Sequence, residues 1–235
     1  MAWFLERHEH ARLVDRYKRL REIGWRLNNK VLAEYFSERA FKTSGKKLGI
    51  WRKGALVLEN EDEMGVLMDY CIHDYRDEGG SAVERYMADS HPECDSDEYA
   101  VLKAMLESFH TLVRVTKVLP GVGVRVTDLL TDCDYLLIDL GLSKTGRKGI
   151  VMATRILSYG EFVTTSGAGL PVDEDMLCEI RDSILPRHRP DKEGRCTLSG
   201  GRRRADDLAA AIIRLCLQRG ASDRIQYTDV PPSRD

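Results

Sequence analysis

His73, Asp74 and Tyr75 stand in a row on a stretch that also carries Asp69, Asp77 and Glu78. Carboxylates gathered beside an imidazole are the residue types of general acid–base or divalent-cation chemistry, and a hydrolase working through Asp69, His73 and Asp74 is one reading of them. Neighbours on a helix point about 100° apart, so these side chains need partners from elsewhere in the fold to act as one site. The segment 43–110 as a whole is acidic, with 15 Asp and Glu against 7 Lys and Arg, and a solvated acidic face is therefore the default reading. No catalytic residue is assigned on this basis, and the hydrolase stands as the alternative.

Cys71, His73, His91 and Cys94 are the ligand types of a zinc site. Cys71 and His73, two apart on a helix, lie about 200° around its axis and so do not face one ion; no metal is expected. His8 and His10 share that spacing and belong to a solvated helix surface. Gly121-Val-Gly123 and Ser166-Gly-Ala-Gly169 share only composition with phosphate loops. The first falls between two strands, and the second lacks the lysine and is followed by Asp173, Glu174 and Asp175, which repel phosphate. Both are read as turns, and no cofactor is expected.

The candidate binding residues are Arg202, Arg203 and Arg204. They close a segment, 186–204, that is poor in apolar residues and holds Arg187, Arg189, Lys192 and Arg195 against Asp191 and Glu193. Consecutive arginines flanked by glycine on such a tether are free to contact a polyanion and poorly placed to stabilise a core.

The elements that position these residues come from a chain of 235 residues, 43% hydrophobic and 31% charged, the balance of a globular protein. A net charge of -2 removes any argument from global basicity. The opening Met1–Leu5 gives way at once to Glu6-Arg7-His8-Glu9-His10, without the apolar region of a secretory signal. The longest clean apolar run, Leu208–Ile213, is far below the ~18 residues of a membrane span. A cytoplasmic protein without a membrane partner is expected, its six cysteines being free and mostly buried thiols.

Leu13, Tyr17, Leu20, Gly24, Leu27 and Val31 recur at steps of four and three, a heptad seam on a long basic helix over 1–42. The seam suits either another copy of the chain or the protein's own body. Leu48–Trp51 and Ala55–Leu58 flank a glycine turn and predict a short hairpin. Three helices follow within 43–110: one opened by Asn60 and three acids and stopped by Gly79-Gly80, one opened by the capping box Ser81/Glu84, and one opened at Asp95–Glu98. Five β-branched runs (111–118, 122–127, 134–140, 149–157 and 161–165) alternate with turn chemistry. Five short strands leave too many edges as a flat sheet, so a small closed barrel is expected over 111–172, SH3-like or OB-like. A packing helix over 173–185, the basic linker 186–205, a last helix over 206–220 and a disordered tail from 221 complete an α+β chain.

Gly54-Ala-Leu-Val-Leu-Glu59, Met68-Asp-Tyr-Cys-Ile-His-Asp74, Ala82-Val-Glu-Arg-Tyr86, Gly121-Val-Gly-Val-Arg-Val-Thr-Asp-Leu-Leu130 and Thr164-Thr-Ser-Gly-Ala-Gly-Leu-Pro171 resemble an uncharacterised family of bacterial proteins. Some of its members look related to proteins with the SecA-type C-terminal zinc motif. That motif, a CxC followed by Cys-Cys or Cys-His, is absent here. The resemblance implies a fold over roughly Leu48–Asp173 and no catalytic residue. A basic N-terminal helix and a basic linker flanking an acidic helical region and a small barrel lead to the expectation of a non-catalytic interaction or scaffold module, with a protein partner first, nucleic acid second, and self-association through the N-terminal helix as a further option.

Overall fold

The computed structural model describes residues 2–35, 37–187 and 202–225. Helix α1 (Ala2–Tyr35) buries Leu13, Tyr17, Leu20, Leu27 and Val31 within its own chain. They pack against Val83 and Tyr86 of α4 (Ala82–Ser90) and Val101, Leu102 and Met105 of α5 (Asp97–Leu106). The heptad seam is thus used intramolecularly. The helix does not run on to Phe41. Ser37 is extended and its hydroxyl accepts the Ala40 N–H at 3.2 Å, the N-cap arrangement that starts a new helix, α2 (Glu38–Leu48), which Gly49 ends at φ 82°.

The hairpin is short, β1 (Trp51–Arg52) paired with β2 (Ala55–Leu56). Both turn residues, Lys53 and Gly54, have positive φ, as a tight two-residue loop requires. Helix α3 (Glu61–His73) is capped by Asn60 and carries three acids in its first turn, where the helix dipole favours them; it stops at His73, well before Gly79. The capping box of α4 is complete, with Glu84 N–H donating to Ser81 Oγ and Ser81 N–H to Glu84 Oε2.

The barrel is formed by β3 (Phe109–Leu119), β4 (Gly123–Asp128), β5 (Asp134–Ile138), β6 (Val151–Ser158) and β7 (Val163–Thr165). The ring runs β3-β4-β5-β7-β6 and closes through a β3–β6 pairing. One correction to the expected antiparallel barrel follows: β5 and β7 meet in parallel, at Leu137 opposite Val163. A single parallel contact in a closed Greek-key ring is the OB-like arrangement of the two anticipated. A sixth strand, β8 (Leu170–Val172), lies in line with β7 along the same edge of β6. Its Pro171 is tolerated because, among the described residues, no strand pairs with β8 on its far side. The short helix α6 (Leu142–Thr145) sits between β5 and β6.

Side chains alternate across the wall. Val113, Val115, Val124, Val126, Leu137, Ile156 and Val163 fill the interior. Outside, Leu112, Val151 and Ala153 pack on Leu67 and Tyr70 of α3 and on Ile212, Ile213 and Cys216 of α8 (Arg202–Gln218), while Ile138 and Leu157 pack under α1. Helix α7 (Glu174–Glu179), capped by Asp173, continues as a π turn over Ile180–Ile184 and a 3-10 turn over Leu185–Arg187. The chain stays packed beyond α8, where the sequence predicts a disordered tail from 221: Ala221 and Ser222 are buried and Ile225 touches the core. Most of the basic linker, and the tail from 226 onward, fall outside the described residues.

Candidate functional site

Asp69, His73 and Asp74 do converge on a barrel residue, and that residue is Arg155. It occupies an outward position of β6 and is 1% exposed, roofed by α3. Its Nε donates to Asp69 Oδ2 at 2.9 Å and its Nη2 to Asp74 Oδ2. Burial disfavours a charged Asp69, yet the Arg155 cation beside it holds its carboxyl below the usual range. Burial also opposes the Arg155 cation, and the two carboxylates overcome it and raise its pKa. His73, i+4 from Asp69 and so on the same helical face, is pushed down to about 4 by burial and then by Arg155. Its Nδ1 lies 3.2 Å from Ser108 Oγ and 3.4 Å from the Met105 carbonyl. His110, directly opposite Arg155 across the β3–β6 ladder, is likewise pushed to about 3 by burial and Arg155.

This arrangement is a closed charge lock. A general base needs access to substrate and a pKa near the working pH. Here both carboxylates are committed to one guanidinium, and the imidazole, its side chain 3% exposed at the edge of a small cavity, is held neutral with a pKa far below the working pH. The zinc-type residues are also spent or separate. Cys71 Sγ donates to the Ala40 carbonyl at 3.7 Å, His91 Nδ1 lies 3.1 Å from the Asp89 carbonyl, and Cys94 is exposed. Arg202, Arg203 and Arg204 fall on the first turn of α8 rather than ahead of it, and their side chains lie outside what is described.

A charged surface does emerge elsewhere, on the outer face of the β3–β4 ladder. Lys117 is the direct cross-strand partner of Arg125, and Arg114 that of Thr127. A bulge between Val115 and Lys117 puts Lys117 back on the outward side with Arg114. The loop ahead of β6 joins them, because Gly149 N–H donates to the Val115 carbonyl and Val115 N–H to the Ile150 carbonyl, each at 2.8 Å. This seats the exposed Arg147 and Lys148 beside the ladder. Like charges directly opposite each other on a sheet are destabilising, and none of these five cations has an ion-pair partner among the described residues.

Sequence reasoning named Asp69, His73 and Asp74 but missed their partner Arg155 and the whole basic ladder, though each left a trace. Residues 109–127 and 141–150 contain no Asp or Glu, in a chain that is slightly acidic overall. Arg155 is the only charge in the apolar run 150–157, and a charge in a buried strand implies a counter-charge across the interface.

Residues 11–189, well over half of the chain, match the model of a family of unknown function (DUF7986), and the chain belongs to that family. No curated protein and no solved structure matches it. Nothing in these comparisons links it to proteins with the SecA-type zinc motif. Among the described residues, no helix is long and apolar enough to cross a membrane.

Proposed function

We propose that this member of the family is a non-catalytic binding module that holds the phosphate backbone of a nucleic acid on the open β3–β4 face of its barrel. The observation that carries this reading is the directly opposed Lys117/Arg125 pair on two strands that bring no carboxylate of their own to the outward face; Asp134 of β5 reaches that face at Thr127, whose hydroxyl donates to its carboxylate. Folding gains nothing from setting two cations side by side, whereas a polyanion bridges them and relieves the repulsion. Arg114, Arg147 and Lys148 extend the patch along the ladder. Among the described residues no large aromatic side chain shares the face, so the contacts are to phosphate rather than to stacked bases. Arg202, Arg203 and Arg204 are proposed as a second set of phosphate contacts.

A protein partner, the first expectation from sequence, finds less support. Interface cores are rich in aromatic and apolar groups, and among the described residues the exposed large hydrophobics are Trp25 and Val57. The hydrolase loses its support in the charge lock, which commits both carboxylates to Arg155.

Fluorescence anisotropy with labelled duplex and single-stranded oligonucleotides, over a series of salt concentrations, tests the proposal. Binding whose logarithm falls linearly with the logarithm of salt is expected. Absence of salt-dependent retention even at low ionic strength would overturn it and leave an acidic protein surface as the partner to seek.

A further inference from the structure

A cavity of about 120 Å³ opens between α1 and the β6–β7 end of the barrel. It is separate from the basic ladder. Arg21, Gly24, Trp25 and Asn28 line one side and Thr165 and Ser166 the other. The four α1 residues follow steps of three, one and three, which places them on one helical face. The volume corresponds to about four waters of bulk liquid. That admits one flat heterocycle and is too small for a larger organic ligand.

Three features of this cavity have no use in the fold. Trp25 is 69% exposed at its rim, so a large apolar side chain there covers nothing. Asn28 Oδ1 is buried without a hydrogen-bond partner among the described residues, which costs stability unless a donor arrives. Gly24 interrupts the heptad seam in mid-helix, where glycine costs about 1 kcal/mol relative to alanine. Packing does not require it: a Cβ at this position would meet only Val101 Cγ1, at the ordinary contact distance of 3.7 Å. The missing side chain leaves space in the cavity instead.

We propose that this cavity binds the base of an adenine nucleotide, with the ring against Trp25, its amino edge on the Asn28 amide and its phosphate toward Arg21. A purine offers a flat π-face to an indole. The side-by-side amino donor and ring-nitrogen acceptor of adenine match the oxygen and nitrogen of an Asn side chain. Arg21 is exposed and stacks its guanidinium 5.8 Å from the centre of the Tyr17 ring, which leaves its N–H groups available to a phosphate. No carboxylate lines the cavity among the described residues, so nothing there repels a nucleotide. The base has two possible sources, a free nucleotide or an unstacked residue of a nucleic acid. The inference stands without the polyanion reading.

Titration of the full chain with AMP, with a short oligo(A) and with ribose 5-phosphate, followed by Trp fluorescence and by calorimetry, tests it. Saturable quenching by AMP or oligo(A), absent with ribose 5-phosphate, is expected. Trp25→Ala, a surface change, should weaken calorimetric binding about tenfold or more, and Gly24→Val should block the cavity. Binding of AMP identifies a free nucleotide, and binding of oligo(A) alone identifies an unstacked base. In either case, persistence of the site in an Arg114→Ala/Lys117→Ala/Arg125→Ala protein separates it from the ladder. Failure of both AMP and oligo(A) to bind, equal binding of ribose 5-phosphate, or wild-type affinity in Trp25→Ala would overturn the proposal.

Discussion

Arg155, Asp69 and Asp74 are all nearly sealed from water, with side chains 1%, 8% and 7% exposed, so none of their charges can be left alone. Replacing Arg155 by Leu strands two carboxylates in the interior and should cost about 3–5 kcal/mol in urea denaturation. Neutralising both acids in that background, as Asp69→Asn/Asp74→Asn, should restore much of the loss. A loss under about 1 kcal/mol would mean that water reaches the cluster. The neighbouring imidazole predicts a pH effect with a definite sign. His73 titrates near 4 in the folded protein and near 6.5 when unfolded. Between those values only the unfolded chain takes up the proton. Stability is therefore full above about pH 6.5 and falls on acidification toward 4, at up to about 1.4 kcal/mol per pH unit for this group. His110 acts in the same direction. Asp69, whose folded pKa is depressed, contributes stability above the ordinary carboxylate range and loses it only at still lower pH. His73→Gln should flatten the stability profile between about pH 6.5 and 5, and an unchanged slope would refute the assignment.

The barrel wall and its turns depend on positions that no surface effect can imitate. Val126 and Ile138 are both 0% exposed, yet they face opposite ways, Val126 into the barrel and Ile138 toward α1. Val126→Asp buries an unpaired charge and should lower stability by several kcal/mol, visible as a large fall in Tm. Gly123, at the start of β4, is required by close approach. A Cβ there would stand 2.1 Å from the Leu137 carbonyl oxygen, which no rotamer can relieve. Gly123→Ala should cost roughly 1–3 kcal/mol and loosen the β4–β5 ladder in hydrogen exchange. Unaltered protection of Leu137 and Val124 would show that the strands adjust without strain.

For the molecule as a whole, two helical layers roof the outer faces of β5, β6 and β8, and the β3–β4 ladder carries the exposed Lys117 and Arg125 beside the half-buried Arg114. Substituting Arg114, Lys117 and Arg125 by Ala should lower the salt slope of duplex binding by about 0.9 for each phosphate that is no longer neutralised. Stability should stay within about 1 kcal/mol of wild type, because exposed charges contribute little to folding, and relief of the Lys117/Arg125 repulsion acts in the stabilising direction. An unaltered slope would exclude this face as the binding surface.

Local rules made most elements legible. The capping box at Ser81/Glu84, the acids after Asn60 and the glycine turns mark chain ends through hydrogen bonds that close within a few residues, and strand alternation marks which side of a wall is buried. The break at Ser37 escapes such rules because an apolar periodicity runs straight through it, and β8 escapes them because proline argues against a strand until its far edge is known to be unpaired. The candidate sites were legible only as residue types. Asp69 and Asp74 stand more than 80 positions from Arg155, Asn28 and Ser166 are farther apart still, and Arg114 reaches Lys148 only through a ladder register. What the sequence determined was most of the helices, strands and turns, those whose interactions are short-range. Which charges cancel in the interior and which stay open to a ligand was decided by the tertiary structure alone, because Coulomb attraction and burial depend on distance in space and not on distance along the chain.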